Sequence, residues 1–153
     1  AGGAVVFTGS IEWSANFGGA DITHEGRGGF LAKLDANGNH VFSQALPTTS
    51  NGGVASDATG ALWVSANYTG AIELAGATFD ANTSKSLLLI KFDTNGVPTW
   101  AASGQSPEAR PGSVVTDPNG NAYCTGDFWD MLQIGTASAI TPGTGAYLVK
   151  FAP

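Results

Sequence analysis

"LAKLDANG" at residues 31–38 is repeated as "LIKFDTNG" at 89–96, and its opening residues return in "LVKFAP" at 148–153. Consecutive copies begin 58 and then 59 positions apart. A regular period of this length is the signature of a repeat protein in which every copy forms one supersecondary unit. The phrase therefore predicts three structurally equivalent units within one chain.

A second phrase repeats with nearly the same period. "GGVASDATGALWVSA" at 52–66 corresponds to "GSVVTDPNGNAYCTG" at 112–126, which begins 60 residues later. Because two different phrases recur together, chance is a poor explanation of the repeat. We expect a single repeat domain over 1–153, with units that cover approximately 1–51, 52–111 and 112–153.

Each complete unit contains four short segments that are rich in β-branched, aromatic and small residues, as strands are. No segment carries apolar residues at the sustained i, i+3, i+4, i+7 spacing of an amphipathic helix. The sequence therefore predicts an all-β fold built from four-stranded antiparallel units. In the second unit the strands are expected at 52–57, 61–68, 86–93 and 97–104.

Four Asp-x-x-Gly segments separate these strands. An aspartate side chain can accept hydrogen bonds from backbone amides two residues further on, and glycine readily adopts the positive φ that closes such a turn. We expect each segment to form a type I turn with a bulge between antiparallel strands. The turn residues are Asp35 and Gly38, Asp57 and Gly60, Asp93 and Gly96, and Asp117 and Gly120.

Repeated four-stranded units of this size are typical of β-propeller blades. The segments "VVTDPNGNAYCTGDF" (114–128) and "FLAKLDANGNHVF" (30–42) resemble the bacterial β-propeller repeat family called SBBP, which is related to NHL-type blades. The resemblance implies about two and a half to three four-stranded antiparallel blades, in a surface or secreted protein without a defined activity. Phe42 departs from the family pattern, which has the tryptophan that Trp100 provides in the second unit.

A β-trefoil is the alternative fold, because it also places three repeats in a chain of similar length. Trefoil repeats are shorter than the units of this chain, so we favour propeller blades.

The outer units are expected to be incomplete. The first lacks its first strand and the third lacks its last strand, so a single copy forms too few blades for a closed ring, which typically has roughly four to eight. Unpaired strand edges expose backbone donors and acceptors to further pairing. We therefore expect either a piece of a longer propeller or copies that associate through open blade edges.

The composition favours a polar but weakly charged surface. Hydrophobic residues make up 42% of the chain and charged residues only 12%, about half the usual share. Such a surface is typical of secreted β proteins, so we expect an extracellular or cell-surface location. The net charge of −6 disfavours nucleic acid as a partner. No apolar run approaches the length of a membrane span, so membrane insertion is not expected either.

Residues in catalytic or metal-binding patterns are scarce. The sequence has neither a G-x-S-x-G nucleophile motif nor a cysteine–histidine cluster. The Asp-x-x-Gly turns resemble the start of a calcium loop, which needs a glutamate at position 12. That position is Leu46 when counted from Asp35 and Gly104 when counted from Asp93. We therefore expect no enzyme activity, no catalytic residue, no metal and no cofactor.

Aromatic and acidic residues near the ends of predicted strands are the ligand-binding candidates. Aromatic faces beside carboxylates suit sugars, so a lectin-like module that binds glycans is one alternative function. A propeller hydrolase is less favoured, with Asp127 and Asp130 as its candidate acid/base pair. The preferred function is a non-enzymatic repeat protein that forms an interaction or self-assembly surface. The candidate ligand-binding residues are Trp13, Tyr68, Asp127, Trp129 and Asp130.

Overall fold

The computed structural model describes residues 3–82 and 84–152 of the chain, and all of the strand pairs in its sheets are antiparallel. The prediction of an all-β, antiparallel fold is thereby confirmed. Within the described residues there is no helix that could span a bilayer.

The first three strands form a separate N-terminal sheet, in which β2 lies between β1 and β3. Its outer strands both pair with β2, and a bulge interrupts the β1–β2 ladder between Glu12 and Ser14. The strands are β1 (Val5–Ala15), β2 (Ile22–Leu34) and β3 (His40–Leu46).

The next strands form a middle layer in which four strands pair in chain order, with a small hairpin inserted between the second and the third. The four strands coincide with the four segments expected for the second unit, and the first strand of the hairpin lies in the further repeated phrase "AIELAG" at 71–76. The layer contains β4 (Ser50–Ser56), β5 (Leu62–Tyr68), β8 (Ser86–Phe92) and β9 (Pro98–Gln105), and the hairpin contains β6 (Ala71–Leu74) and β7 (Ala77–Asp80).

The last three strands form a C-terminal layer. Its central strand also pairs with β9, where Gln133 and Ile134 face Gln105 and Gly104. The middle and C-terminal layers are therefore one seven-stranded sheet that folds back on itself into a nearly closed, barrel-like shape. The C-terminal strands are β10 (Glu108–Thr116), β11 (Ala122–Ile134) and β12 (Ala137–Phe151).

Glycines allow the sheet to fold back so closely. Strands β4 and β10 contact each other without pairing. A Cβ atom on Gly52 would collide with the carbonyl oxygen of Gly112. Only a residue without a side chain permits this approach of two backbones.

The middle layer is buried on both faces. All seven residues of β5 are buried, and so are six of the seven residues of β8. Leu62 and Val64 pack towards the N-terminal sheet, whereas Trp63 and Leu89 pack towards the C-terminal layer. This double burial accounts for the continuous apolar run within "SLLLIKF" (86–92), since a strand with two covered faces needs no polar alternation.

The two copies of one leucine give a direct test of the burial of the face that packs on the C-terminal layer. We expect Leu89→Ala to lower the free energy of unfolding by about 2–5 kcal/mol, because it leaves a cavity between two layers. Leu148 has the corresponding position in the last copy but is 70% exposed. Leu148→Ala is therefore expected to change the free energy by no more than about 0.5 kcal/mol. Urea denaturation of dilute protein measures both values, and equal losses would contradict the burial of Leu89 between the two layers.

Candidate interaction surface

The four Asp-x-x-Gly segments form tight turns. In each turn the glycine amide donates a hydrogen bond to the carbonyl oxygen of the aspartate, at 3.0–3.2 Å. Each aspartate Oδ1 also accepts from the backbone amides two and four residues further on. The glycines have φ angles of 81–86°, which is the left-handed conformation expected of them. The aspartates therefore hold the turns and do not point into a shared site.

Hydrogen bonds lower the pKa of all four turn aspartates. Burial raises the pKa of Asp57, but hydrogen bonds from Thr59 and from the amide of Ala61 outweigh it, so the pKa falls below its ordinary value of 3.8. The Nζ atom of Lys91 also lies 3.9 Å from the Asp57 carboxylate. The pKa of each of the other three carboxyls is lowered chiefly by one hydrogen-bond donor. The pairs are Asp35 with Asn39, Asp93 with Val97, and Asp117 with Asn121.

These shifts predict a loss of stability in acid. A carboxyl with a lower pKa in the folded state binds more protons when the chain unfolds, so its stabilisation is full above the unfolded pKa and disappears as the pH falls through the folded pKa. We expect Asp57→Asn to flatten the decline of the unfolding free energy below about pH 5. Urea denaturation across this range measures the decline.

The matched control is Glu73→Gln, which removes an exposed carboxylate from β6. It is expected to leave the acid profile close to that of the wild type. A profile of Asp57→Asn that matches the wild type would contradict the proposed role of the turn hydrogen bonds.

Asp127 and Asp130 make separate contacts. The Nη1 atom of Arg110 lies 3.9 Å from the Asp127 carboxylate, and its Nε atom lies 3.2 Å from Glu108. These groups are exposed, so their ion pairs contribute little to stability. The Oδ1 atom of Asp130 instead accepts a hydrogen bond of 3.1 Å from the amide of Gly143. Each carboxylate thus has its own partner, an arrangement that does not favour a paired acid and base.

The three aromatic candidates lie in different surroundings. Tyr68 is fully buried and its hydroxyl lies 2.8 Å from Ser103 Oγ, so its ring has no face open to a ligand. Trp13 is 69% exposed and Trp129 is 49% exposed. They lie on β1 and β11, on opposite sides of the middle layer. The structure therefore does not bring the aromatic candidates together into one site.

Cys124 is part of the core between the middle and C-terminal layers, in the same cluster as Trp63 and Leu89. Burial raises the pKa of its thiol to about 12, so the reactive thiolate is scarce at neutral pH. Over residues 3–82 and 84–152, no group of three or more His, Cys, Asp or Glu side chains is placed to hold a metal ion. The buried side chain of Cys124 therefore serves in packing.

The layers contact one another through faces that recur with the repeat. We define the leading face of the middle layer as the side with Trp63, Ser65 and Leu89, and its trailing face as the side with Leu62 and Val64. The leading face packs against the C-terminal layer, where Ser65 Oγ donates a hydrogen bond of 2.7 Å to the carbonyl oxygen of Gly112. The trailing face packs against the N-terminal sheet.

The N-terminal sheet uses the same kind of face towards the middle layer. Leu31 has the repeat position of Leu89 and packs into the core shared with the trailing face of the middle layer. Thr8 has the repeat position of Ser65 and accepts a hydrogen bond of 2.7 Å from Asn51 Nδ2 on β4. Both internal interfaces therefore join a leading face to a trailing face.

One leading face is left exposed, on the C-terminal layer. Leu148 is 70% exposed, whereas Leu31 and Leu89, the other copies of this leucine, are 0% exposed. Alternation along the strands and their register place two further exposed apolar residues on the same side as Leu148. These are Val115 and Trp129.

One trailing face is partly exposed, on the N-terminal sheet. Val5 is 54% exposed, whereas Leu62 and Ala122, which have its position in the other units, are 1% and 0% exposed. Phe17 in the β1–β2 loop packs edge to face on Phe7, with ring centroids 5.2 Å apart. The loop covers part of this face and leaves both rings half-buried.

Strand β12 has a free edge as well. It pairs with β11 on one side and with no other described strand. A groove of about 520 Å³ lies along it, and Phe128, Tyr147, Leu148 and Phe151 contribute to its lining. The free edge of β12 and the exposed leading face of the C-terminal layer therefore adjoin each other at Leu148.

Leu148 and Val5 do not stand out in the sequence, because exposure depends on which layers have a neighbour. The available signal was the alignment of "LVKF" at 148–151 with "LIKF" at 89–92, combined with the expectation of incomplete outer units.

Comparison of the chain with protein-family models gives no match, and comparison with curated proteins gives none either. The resemblance to bacterial propeller repeats therefore depends on the two sequence segments that carry it.

Proposed function

We propose that this protein is an extracellular, non-enzymatic β-propeller repeat protein whose outer layers form interaction and self-assembly surfaces. The observation that carries the proposal is the use of a leading and a trailing face at both internal interfaces. One face of each kind remains open at the two ends of the stack, where Leu148 and Val5 are exposed.

The strand order supports blades. Propeller blades are four-stranded antiparallel sheets arranged side by side around a centre. The middle layer has its four strands in chain order, and the other two layers each have three strands in chain order. The middle layer also separates its neighbours, whereas a threefold arrangement such as a trefoil would place each repeat against both of the others.

The side-chain chemistry supports a role without catalysis. The turn aspartates hold hairpins, Asp127 and Asp130 have different partners, and Cys124 is buried with a raised thiol pKa. An extracellular location is inferred from the low content of charged residues, 12% of the chain. Exposed apolar patches on otherwise polar proteins mark interaction sites, and the exposed side of the C-terminal layer is such a patch.

Self-association is the measurable consequence. We expect the mass in solution to rise above the 15.4 kDa of one chain as the concentration increases, because association removes apolar surface from water. Light scattering coupled to size exclusion, at a series of concentrations, measures the mass. A folded chain that remains at the monomer mass throughout would contradict self-assembly.

Trp13 favours glycan binding as a second candidate function. It lies at the bulge of β1 with φ 68°, and Gly70 has the same φ at the corresponding repeat position. A left-handed conformation costs a residue other than glycine roughly 1–3 kcal/mol, and the exposed Trp13 side chain gains little packing in return. Stacking of the indole on a sugar ring would account for a bulky residue at this position.

A glycan array with paired variants tests this candidate. We expect the wild type to bind at least one glycan class and Trp13→Ala to lose most of that binding, because the stacking surface is removed. Val97→Ala is the control, since Val97 is 56% exposed but lies in the β8–β9 turn. Failure of the wild type to bind, or equal binding by Trp13→Ala, would contradict glycan binding through this residue.

A further inference from the structure

We propose that copies of this chain join head to tail, with the leading face of the C-terminal layer against the trailing face of the N-terminal sheet of a second copy. The inference rests on the proposed self-assembly and specifies which surfaces meet. It commits to a second copy as the occupant, because each copy carries both halves of an interface that already occurs twice within it.

The exposed leading face carries the residues that are buried at the two internal interfaces. Leu31 and Leu89 are fully buried at the first and second interfaces, and Leu148 stands at the same position with 70% of its surface exposed. Thr8 and Ser65 both form a polar contact with the following layer. Among the described residues, the hydroxyl of Thr125, the third copy, donates within its own layer, at 3.3 Å to the carbonyl oxygen of Ser113.

The trailing face of the N-terminal sheet is the second half of the proposed contact. Leu62 is 1% exposed in the middle layer because the N-terminal sheet covers it, and Val5 has the same position with 54% exposed. Beside Val5, the rings of Phe7, Phe17 and Phe30 form a cluster with centroids 4.8–5.8 Å apart. Of these groups Phe30 is buried, so Val5 and the half-buried rings of Phe7 and Phe17 offer the apolar contact for Leu148 of a second copy.

A polar contact at the first interface shows which further bond the pairing would form. Lys33 Nζ donates to the carbonyl oxygen of Thr94 at 3.3 Å, across from the N-terminal sheet to the β8–β9 turn of the next layer. Lys150 has the position of Lys33, and Ala36 has the position of Thr94 in the β2–β3 turn. In the head-to-tail pair, Lys150 is therefore expected to donate to the carbonyl oxygen of Ala36 of the second copy.

The contact is heterologous, since two different surfaces of the same chain meet. Such contacts close into a ring if the rotation per copy permits and otherwise continue as a filament. With three layers per copy, two copies would supply six layers, within the roughly four to eight blades of closed propellers. Either outcome uses the same pair of faces.

Mixing two variants tests the pairing. Leu148→Glu places a charge on the leading face and Val5→Glu places one on the trailing face, and both sites are exposed, so folding is expected to persist. Each variant alone should remain at 15.4 kDa, because every possible contact contains one damaged face. Their equimolar mixture should form a pair with twice that mass, through the intact leading face of one and the intact trailing face of the other.

Val97→Glu is the control, as it adds the same charge at a site 56% exposed outside both faces, and it should assemble as the wild type does. Circular dichroism of each variant checks the fold. If the wild type assembles but the mixture stays monomeric, or if Val5→Glu assembles alone, the head-to-tail pairing is overturned while self-assembly stands. Association along the free edge of β12 would allow Val5→Glu to assemble alone. A monomeric wild type overturns both proposals.

Discussion

The rest of the structure depends on burial of the middle layer on both faces. A sheet with one covered face can place polar residues on every second position, but β5 and β8 bury mostly apolar or small residues on both sides. The layer therefore requires a neighbour on each side. Its neighbours are built from the same repeat, so each also has two faces and uses only one of them on the middle layer.

The outer faces of the two outer layers have exposed apolar residues at repeated positions. Repeat proteins commonly close their stacks with terminal units whose outer face is polar. The outer units of this chain instead have Val5 and Leu148 exposed at positions that are buried in the middle layer. At Val5 and Leu148, exposure to water therefore depends on whether another layer packs against that face.

Local features of the fold could be predicted from the sequence, whereas features that depend on a distant neighbour could not. The Asp-x-x-Gly turns form through bonds within five residues, so their geometry was predictable. The burial of Tyr68 was not, because strand alternation does not identify the face that another layer covers. The left-handed conformation of Trp13 is also unmarked in its own segment, although Gly70 at the equivalent position was a usable signal. Of the candidate surface, the incomplete outer units were expected, but Leu148 and Val5 were not identified.

The repeated lysine shows how neighbours give one residue different roles. Lys33 donates across an interface to the Thr94 carbonyl. Lys91 lies 4.8 Å from the centre of the Trp63 ring and near Asp57, a cation–π contact strengthened by partial burial. Lys150 lies over a tyrosine ring at 5.7 Å, on the exposed leading face. The repeat thus supplies the same donor three times, but Lys33 reaches an acceptor of the neighbouring layer, whereas Lys91 and Lys150 contact groups of their own layers. A covering layer would offer Lys150 a backbone acceptor of the kind that Lys33 has, without any change in its own strand.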